Sequence, residues 1–328
     1  MLPTSLKTMQ ADNAAIKTAV SLLQQGRLVA FPTETVYGLG ADANNPEAVR
    51  RIFAAKGRPV DHPLIVHIPD LACLSQWAQN IPDAAHHLAA HFWPGPLAII
   101  LSKQPGVPLE VTGGQTTVGL RLPNHPVALQ LLQAFGGGIA APSANRFCRI
   151  SPTQASHVAE ELGNAVDLIL EGGSCQVGVE STIIDLSGLH PQLLRPGHIS
   201  RAALEAVLGE RVLVSAPTQV RTSGMMAVHY APATRALLCP AALLPEHYRQ
   251  LSGQGKKIGL MVLQRLADTA PAAQILMPTD ADLYAQALYA SLRKLDTLCL
   301  DIILIEQPPD HDGWQAIHDR LGKASSRL

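Results

Sequence analysis

The residues best suited to chemistry in this sequence are basic side chains at the ends of predicted elements. Lys56 and Arg58 follow a predicted helix, Arg121 lies in the apolar stretch VGLRLP, and Arg195 ends a strand-like stretch. An arginine flanked by leucines, as Arg121 is, needs a partner if it is buried. The guanidinium group can hold a phosphate or a carboxylate through two parallel hydrogen bonds, which a lysine cannot do. On their own, these cations leave open whether they bind an anion or only satisfy the ends of helices and strands.

Neutral polar residues accompany the same predicted strands. The segment PTETVYG brings two threonines and Glu34 after a buried strand, and APSAN (residues 141–145) offers Ser143 and Asn145 after another. Ser181 opens a further strand in GVESTIIDL. Strand ends are common places for binding residues, but turn capping explains the same residue types.

Each of these signals also has a plain structural explanation. Gly57 would end the helix before it, and the basic residues on either side would satisfy its last carbonyl groups. Ser151 fits a helix N-cap in a capping box with Gln154, although a helix N-terminus also attracts anions. His67 lies inside an apolar strand, where a histidine is more often a satisfied core residue than a ligand. Taken singly, the signals leave structure and binding open.

The common nucleotide, metal and hydrolase signatures are absent from the sequence. There is no GxxxxGK[ST], no GxGxxG after a strand, no HExxH and no GxSxG. The thirteen histidines show no other zinc spacing. A phosphate site in this chain would therefore depend on side-chain cations instead of a P-loop.

Composition and charge point to a folded binder of small molecules. The chain is 47% hydrophobic and 16% charged, which excludes a disordered chain. Its 25 Lys+Arg and 26 Asp+Glu give a net charge of −1, without the basic excess of a nucleic-acid binder. No run approaches the about 20 apolar residues of a membrane span, and no signal-peptide pattern is seen. Five scattered cysteines without a CxxC pair fit a reducing cytoplasm.

The elements that must position these residues alternate between strand and helix through the first two hundred positions. This alternation predicts one α/β domain over a twisted sheet. Helices are expected at 46–57, near 83–92, 126–135, 152–162 and 200–208, with another that Asp12 or Asn13 caps. The predicted strands are Arg27–Phe31, Pro63–Ile68, Pro96–Leu101, Thr117–Leu122, Gly138–Ala141, Asp167–Glu171 and Ser181–Leu186.

The pattern changes near residue 210. Residues 214–235 hold two prolines and little periodicity, which predicts a linker. Beyond them, Lys256–Leu263, a helix around Leu283–Leu300, and Asp301–Glu306 predict a smaller α/β unit. A length of 328 residues, at roughly 150 per domain, also favours two domains.

Together the motifs form an ordered series that is far more specific than any one of them. PTETVYGLG, KGRPVDHPLIVH, GLRLP, APSAN with SPT, GVESTIIDL and LRPG, in this order, resemble the YrdC-like threonylcarbamoyl-AMP synthase family. GMMAVHYAPATR is similar to the interdomain linker of the two-domain members. LYASLRKLDTLCLDIILIE and AIHDRLGKAS are similar to their C-terminal domain.

The resemblance implies a fold and a domain plan. The fold class is α/β, with a YrdC-like twisted mixed sheet and helices, then a linker and a smaller Rossmann-like α/β domain. The implied bounds are 1–213 for the catalytic domain, 214–235 for the linker, and 236–328 for the C-terminal domain. The linker, with His229 and Tyr230, is a candidate lid, and a passive tether is the alternative.

The implied activity is a nucleotidyltransferase reaction. L-threonine, bicarbonate or CO2, and ATP with Mg2+ would condense to threonylcarbamoyl-AMP and pyrophosphate. A separate tRNA threonylcarbamoyl transferase would then carry the group to adenosine 37 of tRNAs that read ANN codons. No membrane partner and no metal-ligating side chain are expected, and direct tRNA binding is left open without being predicted.

The resemblance also implies roles for particular residues. Lys56 and Arg58 would stabilise charge at the reacting phosphate. Threonine would contact Thr35, His67, Arg121, the backbone at Ala141, and Ser181. The nucleotide would contact Arg58, His62, Thr117, Ser143, Asn145, Ser151, Arg195 and Tyr230.

Two departures from the family pattern bear on the site. Where members commonly read SANxSGxxSPT, this chain has bulkier Phe147 and Cys148 in place of the Ser-Gly, which puts the loop shape and any hydroxyl contact there in doubt. Where the linker often begins with Pro-Gly, this chain has Ser223-Gly224.

Two other functions compete with the synthase. A non-enzymatic RNA-binding module with a YrdC-like fold is disfavoured by the net charge of −1 and by an aromatic content of only 4%. A related carbamoyl-transferring maturation domain would carry zinc-finger and acylphosphatase-like segments, and no such cysteine array occurs here.

Overall fold

The polypeptide divides into two compact units. The structure is a computed structural model that describes residues 7–214, 220–224, 226, 229–267 and 269–327. The first unit comprises Met1–Phe147, Pro152–Gln176 and Glu180–Met225, and the second comprises Cys148–Ser151, Val177–Val179 and Met226–Leu328. Much of the predicted linker or lid, namely residues 215–219, 225, 227 and 228, lies outside the described residues.

The first unit is built on a mixed sheet whose described part has eleven strands in the order β1-β8-β2-β3-β7-β4-β6-β5-β9-β10-β11. The strands are β1 (Thr8–Gln10), β2 (Val29–Phe31), β3 (Gly38–Asp42), β4 (Ile65–His67), β5 (Leu97–Ser102), β6 (Thr117–Arg121), β7 (Ile139–Ala140), β8 (Leu168–Glu171), β9 (Thr182–Asp185), β10 (Gln192–Arg195) and β11 (Leu213–Val214). The helices are α1 (Asn13–Gln24), α2 (Pro46–Lys56), α3 (Leu74–Trp77), α4 (Asp83–Phe92), α5 (Leu109–Thr112), α6 (Pro126–Phe135), α7 (Ala155–Leu162) and α8 (Arg201–Leu208).

Both faces of this sheet are buried, so its strands are nearly continuous apolar runs. Alternate residues enter different cores, because successive side chains of a strand point to opposite faces. Val29 and Phe31 pack with α1 and α6, whereas Leu28 and Ala30 belong to the larger core on the other face. The predicted α/β class with a twisted mixed sheet is therefore confirmed.

Helix ends follow the local chemistry where the sequence provides it. Asp12 caps α1 through its side chain, and Asn45 caps α2 ahead of Pro46 at the first turn. Gly57 ends α2 in the left-handed conformation with φ of 62°. The cap and stop predictions at these helices are correct.

The predicted capping box at residues 151–154 is wrong. Helix α7 starts only at Ala155, and its N-cap residue Gln154 makes no side-chain capping bond. The preceding backbone is held by other partners, since Pro152 O accepts from Tyr37 N and Thr153 O accepts from Cys175 N. These long-range bonds keep the segment out of the helix.

Strand β3 begins within the PTETVYGLG segment. It pairs with β2 and β7, and its glycines permit that pairing. A Cβ on Gly40 would lie 2.8 Å from the Phe31 ring and 2.9 Å from Ile139 Cγ2. The glycines therefore serve close packing within a sheet.

The second unit is a parallel sheet in the order β14-β13-β15-β12-β16. Its strands are β12 (Arg235–Cys239), β13 (Ile258–Val262), β14 (Ala273–Leu276), β15 (Ile302–Glu306) and β16 (Ser326–Arg327), and its helices are α9 (Leu244–Gly253), α10 (Ala281–Asp296) and α11 (Gln315–Ala324). This arrangement confirms the expected second α/β fold. Across the described residues, no helix is both long and apolar enough to cross a membrane.

Candidate active site

Buried basic side chains gather at the strand and helix ends of the first unit. The exposed fractions of Lys56, Arg58, Arg121 and Arg195 are only 3%, 6%, 4% and 4%. A buried charge is costly unless it is paired or hydrogen-bonded, so each of these side chains needs defined partners. They are therefore parts of a built site and not solvated surface cations.

Arg121 is held by acidic and neutral oxygens at the end of β6. Its Nη2 lies 2.8 Å from Glu34 Oε1, and both side chains are 5% exposed. Nη1 donates to Thr35 Oγ1 at 3.0 Å, and Nε donates to the Gly95 carbonyl at 3.3 Å. Thr33 Oγ1 lies 2.8 Å from Thr35 Oγ1 and donates to the Val36 carbonyl, so the PTETVYG segment forms a fixed polar platform.

His67 stands beside Arg121 because β4 and β6 are parallel and pair these two residues. Burial, reinforced by the positive charge of Arg121, lowers the pKa of His67 to about 3. The imidazole is therefore neutral at physiological pH and can offer one donor and one acceptor. It adds polar contacts to the site without adding charge.

Lys56 and Arg58 flank the left-handed residue that ends α2. Lys56 Nζ donates to the carbonyls of Ser143 and Asn145, each at 2.5 Å, and thereby fixes the APSAN segment. Arg58 Nη2 donates to Pro63 O and to Ser223 Oγ, each at 3.1 Å. Gly57 therefore ends α2, as the structural explanation expects, and Lys56 and Arg58 on either side of it are buried, as a binding role requires.

Phe147 takes the place that a small residue has in the family pattern. Its ring meets the His62 ring edge-on with centroids 5.4 Å apart, and the Arg58 guanidinium carbon lies 5.8 Å from its centroid. Partial burial, followed by the charge of Arg58, lowers the pKa of His62. An aromatic contact therefore replaces any hydroxyl contact at this position.

Arg195 ends β10 and donates hydrogen bonds to Ser181, the residue that precedes β9. Its Nη2 donates to Ser181 Oγ at 3.1 Å and to Ser181 O at 2.9 Å. Its Nη1 donates to Ser223 O at 3.3 Å, so Arg58 and Arg195 meet at the same residue. Ser223 belongs to the described part of the predicted lid.

Sheet register brings the Arg121 group and the Arg195 group to one edge. The end of β6 lies beside the start of β5, because these strands are antiparallel. The start of β5 pairs with Thr182 of β9, and Arg195 pairs with Ile183. Arg121, Ser181 and Arg195 therefore share this edge of the sheet.

The remaining predicted contacts are placed as follows. Thr117 begins β6, Ala141 N donates to Ile65 O at 3.0 Å, and Asn145 is 1% exposed. Ser151 and Tyr230 lie in segments that group with the second unit. There Tyr230 has a φ of 62°, stacks on Tyr289, and carries the Arg320 guanidinium carbon 5.1 Å from its ring centroid.

Sequence reasoning missed three contributors. It treated Glu34 as a turn cap, and it noted Ser223 and Phe147 only as departures from a pattern. For Glu34 a signal existed, since a lone carboxylate beside two threonines is the obvious partner for a buried arginine. The contacts of Ser223 and Phe147 depend on tertiary structure that no spacing reveals.

A metal site built from protein side chains is not found in the described ranges, which contain no group of three or more His, Cys, Asp or Glu able to hold a metal ion. The cations described above instead suit anions directly. A metal that accompanied a polyphosphate would be held mainly by the phosphate oxygens.

The structure is that of a mixed α/β protein with a buried cationic site, and comparison with known proteins identifies the family. The model for Sua5, YciO and YrdC, described as "Telomere recombination", matches residues 21–197. A second model, described as "Threonylcarbamoyl-AMP synthase, C-terminal domain", matches residues 199–326. The chain belongs to the Sua5/YciO/YrdC family, in the two-domain form that carries the Sua5 C-terminal domain.

Similar proteins cover nearly the whole chain. It is 39% identical to the threonylcarbamoyl-AMP synthase of Pyrococcus abyssi, over 94% of each chain. It is 38% identical to that of Bacillus subtilis, over 97% of this chain and 94% of the relative. The crystal structure of Pyrococcus abyssi Sua5 complexed with L-threonine aligns with a TM-score of 0.90 at 35% identity, covering 99% of both chains. The relatives are named as synthases, which supports an enzymatic role.

Proposed function

We propose that this protein is an L-threonylcarbamoyladenylate synthase. It condenses L-threonine, bicarbonate or CO2, and ATP into threonylcarbamoyl-AMP and releases pyrophosphate. Family membership supports the reaction, and so does the name of the relatives. The single observation that carries the proposal is the set of four buried cations in one unit, which would supply the positive charge that a nucleotide and an amino acid carboxylate need.

ATP would bind at the side where Arg58 and Arg195 meet. Arg58 and Arg195 both donate to Ser223, and the same two guanidinium groups would donate charge-assisted hydrogen bonds to phosphate oxygens. Lys56 adds positive charge while it holds the segment that carries Ser143. His62 and Phe147 add an aromatic surface next to Arg58.

Threonine would bind at the Arg121 end. The guanidinium of Arg121 would hold its carboxylate, and the crystal structure of Pyrococcus abyssi Sua5 complexed with L-threonine supports threonine as a substrate. Thr35 and Ser181 offer hydroxyl groups. Neutral His67 can donate a hydrogen bond to the substrate hydroxyl or accept one from it. A compact polar pocket of this sort rejects substrates that leave its buried groups unpaired.

Catalysis would rest on positioning and electrostatics. The amine of threonine attacks the carbonate carbon to give N-carboxythreonine, with loss of water when bicarbonate is the donor. An oxygen of the new carboxylate then attacks the α-phosphorus of ATP, and pyrophosphate leaves. Lys56 and Arg58 would stabilise the charge that develops there, so no protein nucleophile is required.

Mg2+ would enter as part of the nucleotide. When bound, it neutralises phosphate charge, and the protein adds side-chain cations instead of carboxylate ligands. Because N-carboxy amino acids decompose readily in water, the site must exclude water during turnover. Ser223 accepts hydrogen bonds from Arg58 and Arg195, which supports the lid role of this segment.

The product, a mixed anhydride, suits transfer to a nucleophile. We infer that a separate tRNA threonylcarbamoyl transferase consumes it for t6A modification in the cytoplasm. The free state of all five cysteines is compatible with a reducing compartment.

A direct assay of the reaction is pyrophosphate release from ATP with Mg2+. We expect release that requires both L-threonine and bicarbonate, with threonylcarbamoyl-AMP identified by mass spectrometry. Release that ignores either co-substrate would overturn the proposal.

The Arg58→Ala variant should lose most of this activity while it remains folded. A lost charge-assisted hydrogen bond costs about 1.5–3 kcal/mol, which is roughly a ten- to hundredfold loss in rate if it acts in the transition state. Arg51→Ala is the matched control, since Arg51 is an exposed arginine on α2, the helix that ends two residues before Arg58. Equal activity of the two variants would assign Arg58 to the helix end alone.

A further inference from the structure

The second unit contains a crevice that the proposed reaction does not use. It has a volume of about 350 Å³ and lies between the start of α9, residues 264–267 after β13, and Glu306 at the end of β15. This volume falls within the range of small-molecule sites. All of its lining residues belong to the second unit.

Topology places this crevice where parallel sheets usually bind ligands. Strands β12, β13 and β15 run parallel, so their carboxyl ends lie on the same side. Helix α9 leads from β12 to β13 on one side of β12, whereas α11 leads from β15 to β16 on the other. With right-handed crossovers, these connections lie on opposite faces and leave a gap between β12 and β15.

The two faces of the sheet show this arrangement. Tyr248 of α9 packs with Leu237, Leu260 and Leu304 in one core. The intervening strand residues, such as Ile303, are also buried and point to the opposite face. The gap is therefore the switch point of a doubly wound sheet, and the crevice opens at it.

Three kinds of group line the crevice. Glu306 accepts a hydrogen bond from Leu263 N through Oε2 at 2.7 Å, which fixes the carboxylate at the strand end. Among the described residues, no donor is seen for its other oxygen. Leu244, Pro245 and Leu266 supply apolar walls, and the exposed Arg265 stands at the rim without an ion-pair partner in the described ranges.

We propose that this crevice binds a nucleoside or a nucleoside 5′-monophosphate. The carboxylate of Glu306 would accept hydrogen bonds from the two ribose hydroxyls, which a carboxylate at a strand end can do in dinucleotide-binding folds. The base would lie against the apolar walls, and Arg265 would pair with a 5′-phosphate. The site is separate from the nucleotide site proposed in the first unit.

The test uses the full-length chain with the Arg58→Ala substitution, so that the first site is weakened. Methyl-labelled leucines report the location of binding when AMP is added. We expect the resonances of Leu244 and Leu266 to shift in a saturable way. Ala267→Trp, which fills the crevice from an exposed position, should abolish these shifts.

The affinity for AMP and its analogues tests each proposed contact separately. Glu306→Gln keeps an acceptor for Leu263 but removes the charge, and we expect a ten- to hundredfold weaker affinity for AMP. 2′-Deoxy-AMP should bind wild type more weakly than AMP, and Glu306→Gln should reduce this difference. Arg265→Ala should weaken AMP but leave adenosine unchanged, which separates the two ligand forms.

Three results would overturn the inference. They are no shift of Leu244 or Leu266 with millimolar AMP, shifts that persist in Ala267→Trp, and equal binding of AMP and 2′-deoxy-AMP by wild type. None of these outcomes depends on pyrophosphate release. The inference and the proposed synthase activity can therefore fail independently.

Discussion

Arg121 and Glu34 form a buried ion pair in the first unit. Both side chains are almost fully removed from solvent, and their charged atoms lie 2.8 Å apart. Such a pair is not a large net source of stability, because desolvation offsets attraction. Removal of one partner, however, leaves an uncompensated charge inside the protein.

Glu34→Gln should therefore destabilise the protein by about 3–5 kcal/mol in urea unfolding. The matched control is Glu110→Gln, which breaks the partly exposed pair with Arg50 and should cost less than about 1 kcal/mol. A similar, small loss in both variants would show that Glu34 does not compensate Arg121.

His67 makes the stability of the first unit depend on pH. Its pKa is lowered from 6.5 to about 3, mainly by burial. Between these values the unfolded chain binds a proton that the folded chain does not, so stability decreases as the pH falls from 6.5 towards 3. The contribution of this residue approaches about 1.4 kcal/mol per pH unit within that window.

We expect His67→Gln to flatten this part of the profile when the urea midpoint is measured at several pH values. The exposed His86→Gln is the control and should keep the wild-type slope. An unchanged slope in His67→Gln would mean that other groups dominate acid unfolding.

At the scale of elements, local chemistry made α2 predictable. Asn45, Pro46 and Gly57 are sufficient to fix its two ends, and the structure agrees. Helix α7 was not predictable in the same way, because Tyr37 and Cys175 hold the residues before it from far along the chain. Sequence patterns report contacts within a few residues, whereas these bonds exist only after the sheet has formed.

The contrast between local contacts and contacts made only by the tertiary fold also explains how much of the candidate site could be predicted. Arg121 could be singled out because a cation in an apolar strand demands a partner, whereas Arg195 was noted only as the end of a strand. Ser223, which joins Arg58 to Arg195, could not be singled out, because its segment shows no periodicity and reaches them only through the tertiary fold. The roles assigned to these residues remain predictions.

The left-handed Gly57 can be tested directly. No atom lies within 4 Å of a Cβ added there, so Gly57→Ala should cost only the backbone strain of about 1–2 kcal/mol. Because Gly57 also directs Lys56 and Arg58 inward, we expect the KM for ATP to rise as well. Gly106→Ala, equally unobstructed but without a positive φ, should leave stability and KM near wild type.

At the scale of the whole molecule, charge separates the synthase from an RNA-binding module. A net charge of −1 gives no general attraction to polyphosphate, and the cations described above are buried. Without ATP and threonine, we expect weak tRNA binding with a shallow dependence on salt, measured by filter binding. Tight binding with a steep salt slope and no ATP turnover would favour the module.

The division into two units was only partly visible in the sequence. The change of pattern near residue 210 indicates two folds, and the two family models meet at residues 197 and 199. Nothing in the pattern shows that Cys148–Ser151 and Val177–Val179 pack with the later part of the chain. There, Arg149 pairs with Asp296 at 3.2 Å, a contact across 147 positions that spacing cannot predict.

Because these two short segments group with the second unit, cutting the chain at one position does not separate the two units. A polypeptide stopped at residue 213 would keep Arg149 and lose Asp296, and it would expose two loops whose neighbours have been cut away. A truncated protein would therefore need substitutions in those two loops as well as a suitable end point. Low stability of a simple truncation would follow from the exposed loops, and it would not show that the second unit takes part in the reaction.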